Sequence, residues 1–118
     1  WLDRQLNDPY VKRAKAAGDG GWCRVLPLEC VPRALVNRGT SGFITIVADA
    51  DTGRIVGITA VAKDAGDLAA AGVYILEAGM TVDQVANLWS PYLTMAEGIK
   101  IAAQSFTTDV SKLSCCAS

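Results

Sequence analysis

FITIVADADTGRIVGITAV, residues 43–61, is the stretch of this chain that decides the fold. Its two ends, residues 43–47 and 55–61, are apolar and rich in the β-branched side chains that favour strands. The DADTG segment between them, residues 49–53, has the composition of a tight turn and lacks the later ligands of a calcium-binding loop. The stretch therefore predicts a β-hairpin. Both strands are apolar on both faces, so we expect both faces to be covered.

The segment before the hairpin supplies one more strand. Residues 23–28, CRVLPL, are typical of a strand, and Pro27 places it at an edge or a bulge. Residues 29–42 contain prolines and glycines and are predicted to be mostly connection. Further upstream, a proline in the first helical position predicts a short helix from Pro9 to about Ala17.

A long helix is predicted directly after the hairpin. Asp64 is a plausible N-cap for residues 65–78, and Gly79 is suited to end the helix. Gly72 in its middle costs about 1 kcal/mol relative to alanine, so we expect a close backbone contact there. The helix is apolar nearly all round, and Tyr74 is assigned to the core or to an interface.

Two capping boxes predict the remaining helices. Thr81 with Gln84 opens a short helix through about Leu88, and Thr94 with Glu97 opens a helix to about residue 106. The apolar face of this last helix repeats at helical spacing and consists of Met95, Ile99, Ala102, Ala103 and Phe106. The elements together predict an α+β fold, an antiparallel sheet of three to four strands packed with three to four helices.

Composition limits the possible functions. At 118 residues, 51% apolar and 19% charged, the chain is long enough for one well-buried domain. A net charge of −1 without a basic run argues against nucleic acid, and the lack of a long apolar run or secretory pattern argues for a soluble, cytoplasmic protein without a membrane segment. The chain contains no histidine, which excludes Ser/His and Cys/His dyads. Any active site must use carboxylates, tyrosine or thiols.

The four cysteines form no C-x-x-C motif, which argues against a zinc ribbon or a thioredoxin-like site. Cys23 and Cys30 are interpreted as buried small hydrophobes, and a disulfide framework is not expected. Cys115 and Cys116 are adjacent, in a polar segment, residues 107–118, that is predicted to be a mobile tail. They are either two exposed thiols or a metal-capture pair, and the unusual adjacency favours metal capture.

Three segments carry a family resemblance: VPRAL (residues 31–35), SPYLTMAEG (residues 90–98) and LSCCA (residues 113–117). On these segments, residues 23–118 resemble the C-terminal dimerisation domain of the FAD-dependent pyridine-nucleotide disulfide oxidoreductases. Within that superfamily the chain is similar to the mercuric reductases. The resemblance implies a dimerisation domain over residues 23–106 and a homodimer. Residues 1–22 diverge from the strand that usually opens this domain.

The resemblance also implies roles for Tyr92 and Glu97. Related disulfide reductases carry a catalytic histidine at this point, followed by a glutamate five residues later; here Tyr92 stands in place of the histidine and Glu97 follows it by five. The resemblance therefore implies that both are catalytic and that Tyr92 is an oxygen ligand or hydrogen-bond partner of Hg(II). The capping box already explains Glu97 structurally, and packing beside Trp89 is the alternative explanation for Tyr92.

The implied reaction uses the tail. Thiolates of Cys115 and Cys116 would capture the substrate Hg(II) and pass it to a cysteine pair in the flavin domain of the opposite subunit. FAD, reduced by NADPH, would then reduce it to Hg(0). The chain has neither a glycine-rich dinucleotide motif nor the inner cysteine pair, so we expect it to bind neither cofactor and to be inactive alone.

The chain starts at Trp1 without a methionine, which suggests a piece of a longer protein with upstream flavin and nicotinamide domains. The alternative is a free-standing, non-catalytic dimerisation module that at most binds thiophilic metals.

Overall fold

The computed structural model describes residues 22–110 of the chain. It contains three strands, one 3₁₀ turn and four α-helices in the order β1 (Trp22–Pro27), the 3₁₀ turn (Leu28–Cys30), α1 (Pro32–Val36), β2 (Phe43–Ala48), β3 (Ile55–Val61), α2 (Ala65–Glu77), α3 (Val82–Asn87) and α4 (Glu97–Gln104). The predicted α+β fold is confirmed. The helix predicted from Pro9 lies outside the described residues, as do Cys115 and Cys116.

The three strands form one antiparallel sheet in the order β1-β2-β3, and the predicted hairpin is its β2-β3 part. The turn is held by Asp49, whose Oδ1 accepts hydrogen bonds from the backbone N–H of Thr52 at 3.0 Å and of Asp51 at 2.8 Å. These two hydrogen bonds hold the pKa of the Asp49 carboxyl below its usual value because they favour the charged form, and the bond from Thr52 has the larger effect. Asp49 is thus explained as a turn residue.

Helices α2 and α4 pack on the same face of the sheet. Gly72 of α2 lies against Ile58, and Gly98 of α4 lies against Ile44. Ile44 pairs with Ala60, two residues beyond Ile58 on β3, so Ile44 and Ile58 point to one side. The core lies between this face and the helices, and every residue of β2 except the first is buried.

The expectation that both strands of the hairpin are covered holds for β2 but not for all of β3. Val56 is 57% exposed and Val61 is 51% exposed. β3 is an edge strand of the sheet in the described part of the chain, so fewer neighbours cover it. At the turn end of the hairpin the register shifts between Val47 and Ala48, and Val56 is the extra, unpaired residue of β3 there.

The prediction of mostly irregular connection over residues 29–42 is wrong for its first half. α1 begins at Pro32, in the first helical position, where the missing N–H of proline costs nothing. A second difference concerns the two upstream cysteines: Cys23 and Cys30 are half-buried rather than fully buried. Cys30 packs against the core from the 3₁₀ turn.

Helix α2 ends as predicted but begins differently. Gly79 has φ +65°, and the N–H groups of Gly79 and Met80 donate to the carbonyls of Leu76 and Ile75, which is the Schellman arrangement. Asp64 does precede the helix, but its φ is 59° and its side chain makes no capping hydrogen bond. The predicted Asp64 side-chain cap is therefore wrong.

The expected close contact at Gly72 is also weaker than predicted. A Cβ atom added there would lie 3.6 Å from the Cβ atom of Ile58, an ordinary van der Waals distance. The capping box of α3 is confirmed in full, because Thr81 Oγ1 accepts from the Gln84 N–H and Gln84 Oε1 accepts from the Thr81 N–H.

Of the predicted tail, residues 107–110 are described, and Val110 packs against the core. Within residues 22–110 we find no helix with the length and apolar character needed to cross a bilayer.

Candidate functional site

Tyr92 lies in the turn that joins α3 to α4, and this turn differs from the predicted capping box. α4 begins at Glu97 rather than directly after Thr94, and its N-cap position is Ala96. The first half of the box is present, because the Glu97 N–H donates to Thr94 Oγ1 at 3.2 Å. The second half is not, because Glu97 Oε2 accepts from the Leu93 N–H at 3.3 Å. The predicted helix end is also shorter, at Gln104 instead of Phe106.

The altered geometry coincides with an unusual backbone conformation at Leu93. Its φ of 64° is left-handed, a conformation that leucine rarely adopts. In this conformation the Leu93 N–H donates to the carboxylate of Glu97. On the other side of the turn, the Thr94 hydroxyl donates to the Pro91 carbonyl at 2.9 Å. The residue after Tyr92 is therefore held from both sides.

Tyr92 is 74% exposed and Trp89 is 86% exposed, so neither aromatic side chain packs into the core of this chain. The alternative explanation of Tyr92, packing beside Trp89, therefore does not place it in the core and stays a prediction. Its phenol stands at the surface, while Glu97 is half-buried beneath the same turn. The hydrogen bond that the Glu97 carboxylate accepts comes from Leu93 and not from Tyr92.

The start of α4 is fixed to the core by Gly98. A Cβ atom at this position would lie 2.6 Å from Ile44 Cδ1 and 3.1 Å from Val31 Cγ2. Helix and sheet are in direct contact here, so a residue larger than glycine would force Ile44 Cδ1 to shift. Because Glu97 is the neighbouring residue, its backbone position is determined by the core.

A largely apolar groove of about 400 Å³ lies between α2, α3 and the start of α4. Its lining consists of Ala71, Tyr74, Ile75, Ala78, Met80, Val85, Leu88, Trp89, Ser90, Ala96, Ile99 and Lys100. Tyr74 and Trp89 are 75% and 86% exposed, so the core is excluded for Tyr74 and its assignment to an interface stays a prediction. The groove was not predicted from the sequence. The feature of the sequence that could have indicated it is the apolar character of α2 on nearly all sides.

Residues 12–103 match the pyridine nucleotide-disulphide oxidoreductase dimerisation domain, over most of the chain. The chain belongs to this family. The mercuric reductase of Streptomyces lividans is 54% identical to this chain, and the match covers 86% of this chain and 21% of the relative. The mercuric reductase of Serratia marcescens is 50% identical, and the match covers 98% of this chain and 25% of the relative. The chain therefore spans a quarter or less of the length of these relatives.

Several solved structures share the fold. LpdA (Rv3303c) from Mycobacterium tuberculosis superposes with a TM-score of 0.74 at 24% identity, covering 82% of this chain and 21% of that one. The Cu(II) complex of the HOCl-induced flavoprotein disulfide reductase RclA from Escherichia coli gives 0.75 at 21% identity, with coverages of 82% and 22%. At these identities the likeness supports the dimerisation-domain fold and nothing finer.

The described part of this dimerisation domain does not fit a dinucleotide cofactor. Dinucleotide sites of the Rossmann type use a parallel βαβ unit whose helix N-terminus receives the pyrophosphate. Here the sheet of residues 22–110 is wholly antiparallel. The parallel unit that such a site uses is therefore not found within residues 22–110.

The metal-binding prediction lies partly outside the described residues. Between residues 22 and 110, no group of three or more His, Cys, Asp or Glu side chains is placed to hold a metal ion. Cys115 and Cys116 follow this range, so their approach to Tyr92 stays a prediction.

Proposed function

We propose that the chain is the C-terminal dimerisation and Hg(II)-capture part of a mercuric reductase. The observation that carries the proposal is the extent of the match with the named mercuric reductases. About half the residues are identical, and the Serratia marcescens match, over 98% of this chain, takes in both Cys115 and Cys116. The proposal assigns the chain to a homodimeric enzyme with Hg(II) as its substrate.

The tail cysteines supply the capture chemistry. Each thiol loses its proton and forms a sulfur–mercury bond, so that one Hg(II) ion is held by the thiolates of Cys115 and Cys116. Soft thiolates are preferred ligands of soft, thiophilic cations. Stepwise exchange with another thiolate pair then moves the ion without releasing it to water. Reduction to Hg(0) would be carried out by FAD and NADPH bound elsewhere in the enzyme. We place the enzyme in the cytoplasm, where NADPH is supplied.

Tyr92 completes the part of the site that this chain contributes. Its phenol is exposed on a turn that is held by hydrogen bonds at both ends, so the oxygen can reach a group presented by another subunit. In this role the phenol is an oxygen ligand or hydrogen-bond partner of Hg(II). The exposed groove beside it supplies the apolar contact that the second subunit covers.

The capture step is tested by measuring Hg(II) binding to the chain in competition with a small dithiol. We expect Cys115→Ala/Cys116→Ala to lose tight binding, with affinity falling about 100-fold or more because two soft ligands are removed. The matched control is Cys23→Ala/Cys30→Ala, which removes two half-buried thiols and retains the tail. Equal affinity of the tail variant and the parent chain would overturn the capture role.

The enzymatic context is tested separately by the reading frame that encodes the chain. Flavin- and nicotinamide-binding domains upstream support the proposal, and NADPH-dependent Hg(II) reduction by the purified product is the direct assay. A reading frame that starts close to Trp1 would contradict it and leave a free-standing dimerisation module that at most binds thiophilic metals.

A further inference from the structure

We propose that Glu97 is a positioning residue: its carboxylate holds Leu93 in the left-handed conformation and thereby fixes where the Tyr92 phenol lies. The inference concerns the geometry of this chain, and its consequence for Hg(II) rests on the function proposed above. It assigns Glu97 no proton transfer.

The first support is the hydrogen bonding of the turn. Glu97 Oε2 accepts from the Leu93 N–H at 3.3 Å, and the N–H of Glu97 itself donates to Thr94 Oγ1 at 3.2 Å. The same Thr94 hydroxyl donates to the Pro91 carbonyl at 2.9 Å. The three bonds link Pro91, Leu93, Thr94 and Glu97 and enclose Tyr92, whose own side chain is left exposed.

The second support is the backbone of Leu93. At φ 64° a leucine side chain is strained, and such a conformation persists only where surrounding contacts enforce it. The described contact that acts on the Leu93 N–H is the Glu97 carboxylate. Removing this acceptor lets Leu93 return to a negative φ, and the preceding residue, Tyr92, then changes direction.

The third support is the connection to the core. Gly98, next to Glu97, allows α4 to approach Ile44 and Val31 so closely that an added Cβ atom would lie 2.6 Å from Ile44 Cδ1 and 3.1 Å from Val31 Cγ2. The Glu97 backbone is thus placed by core packing, and its carboxylate transmits this position to Leu93. The described hydrogen bond of the Glu97 carboxylate joins Oε2 to a backbone amide and not to the Tyr92 phenol, which is the arrangement that a positioning role requires.

Two substitutions of Glu97 separate positioning from acid–base chemistry. Glu97→Gln removes the charge but keeps an oxygen that accepts from the Leu93 N–H, whereas Glu97→Ala removes the acceptor. A matched control is Gln84→Ala, which removes the equivalent side-chain acceptor from the capping box of α3 and leaves the Tyr92 turn intact.

In the 118-residue chain, the readout is amide hydrogen exchange of Leu93 followed by NMR. We expect exchange about fivefold faster in Glu97→Ala, unchanged within about twofold in Glu97→Gln, and unchanged in Gln84→Ala. If Glu97→Ala does not fold, Glu97→Gln and the parent chain still test the proposal. In both proteins the Leu93 amide should then exchange more slowly than a solvent-exposed amide. Exchange as fast as that of a solvent-exposed amide in both would overturn the positioning role.

In the NADPH-dependent enzyme that carries this chain, the readout is Hg(II) turnover. We expect Glu97→Ala to lower kcat/KM about tenfold or more, Glu97→Gln to restore it to within about threefold, and Gln84→Ala to leave it unchanged. Equal losses in Glu97→Ala and Glu97→Gln would show that the charge or proton of Glu97 takes part in the reaction, which overturns the positioning role.

The two arms fail independently. If the enzyme does not reduce Hg(II) but the Leu93 amide responds as expected, the proposed function is wrong and the positioning of Tyr92 stands. If the enzyme reduces Hg(II) but Leu93 exchange is the same in Glu97→Ala and in the parent, the positioning role is wrong and the function stands.

Discussion

Gly98 is the residue on which the packing of α4 most directly depends. An alanine methyl group would lie 2.6 Å from Ile44 Cδ1, and Ile44 is fully buried, so its terminal methyl group would have to shift within a packed core. The second neighbour, Val31, is β-branched, fully buried and equally confined. One missing Cβ therefore sets the distance between helix and sheet, and through it the position of the Tyr92 turn.

We predict that Gly98→Ala lowers the free energy of unfolding by about 1–3 kcal/mol because it overpacks the core. Urea denaturation of the chain measures the change. The control is Gly66→Ala in the first turn of α2, where an added Cβ atom has no neighbour within 4 Å; this variant should be neutral or slightly more stable. An equally stable Gly98→Ala variant would contradict the described contact.

At the scale of elements, α2 shows which helix signals act locally and which depend on packing. Its end is local: Gly79 adopts a positive φ, and two orphan carbonyls are satisfied by the N–H groups that follow. Its start is not, because Asp64 stands in the N-cap position in a conformation that keeps its side chain from capping. The glycine at its centre, Gly72, packs on Ile58 with room for a methyl group.

We predict that Gly72→Ala raises the free energy of unfolding by about 0.5–1 kcal/mol. The helix gains the propensity difference between glycine and alanine, and the new methyl group makes an ordinary 3.6 Å contact with Ile58. Thermal or urea unfolding measures the gain. Gly79→Ala is the contrasting variant and should lose stability, since its φ of +65° disfavours any Cβ atom. A loss in Gly72→Ala would mean that α2 lies closer to the sheet than described.

At the scale of the whole molecule, one side of the domain is left apolar and exposed. Tyr74, Leu88 and Trp89 line the groove between the helices and are 75%, 42% and 86% exposed. Exposed aromatic side chains around an apolar groove are typical of an interface and are a poor arrangement for a surface that stays in water. In a dimerisation domain, we propose that a second copy of the chain covers this groove.

We predict that the chain sediments as a dimer at micromolar concentration and that Trp89→Ser weakens the dimer about 30-fold, the effect of losing an aromatic anchor of about 2 kcal/mol. The unfolding free energy of the monomer should change by less than about 0.5 kcal/mol, because Trp89 is 86% exposed. The control is Val36→Ser, which removes a 59% exposed apolar side chain outside the groove. Equal weakening by both variants, or a strict monomer, would contradict the groove as the contact.

The sequence by itself determined the local features of this protein. The Asp49 turn of the β-hairpin, the Gly79 helix end and the Thr81 capping box each depend on residues within a few positions of one another, and the two strands of the hairpin are joined by that short turn, so these features could be predicted from composition and spacing. The family segments, the position of Tyr92 and the cysteine pair were likewise readable without coordinates.

Only the tertiary structure decided how these features are placed. Gly98 against Ile44 and Val31 fixes where α4 approaches the sheet, and the carboxylate of Glu97 then turns to Leu93 instead of completing a capping box. The groove beside Trp89 is likewise formed where α2, α3 and the start of α4 pack together, and this packing could not be predicted from the sequence. The physical reason is that the contacts of Gly98 and of the groove join residues far apart in the chain, and close packing of the core sets their geometry; the local Glu97–Leu93 bond follows from the position that this packing gives to the start of α4.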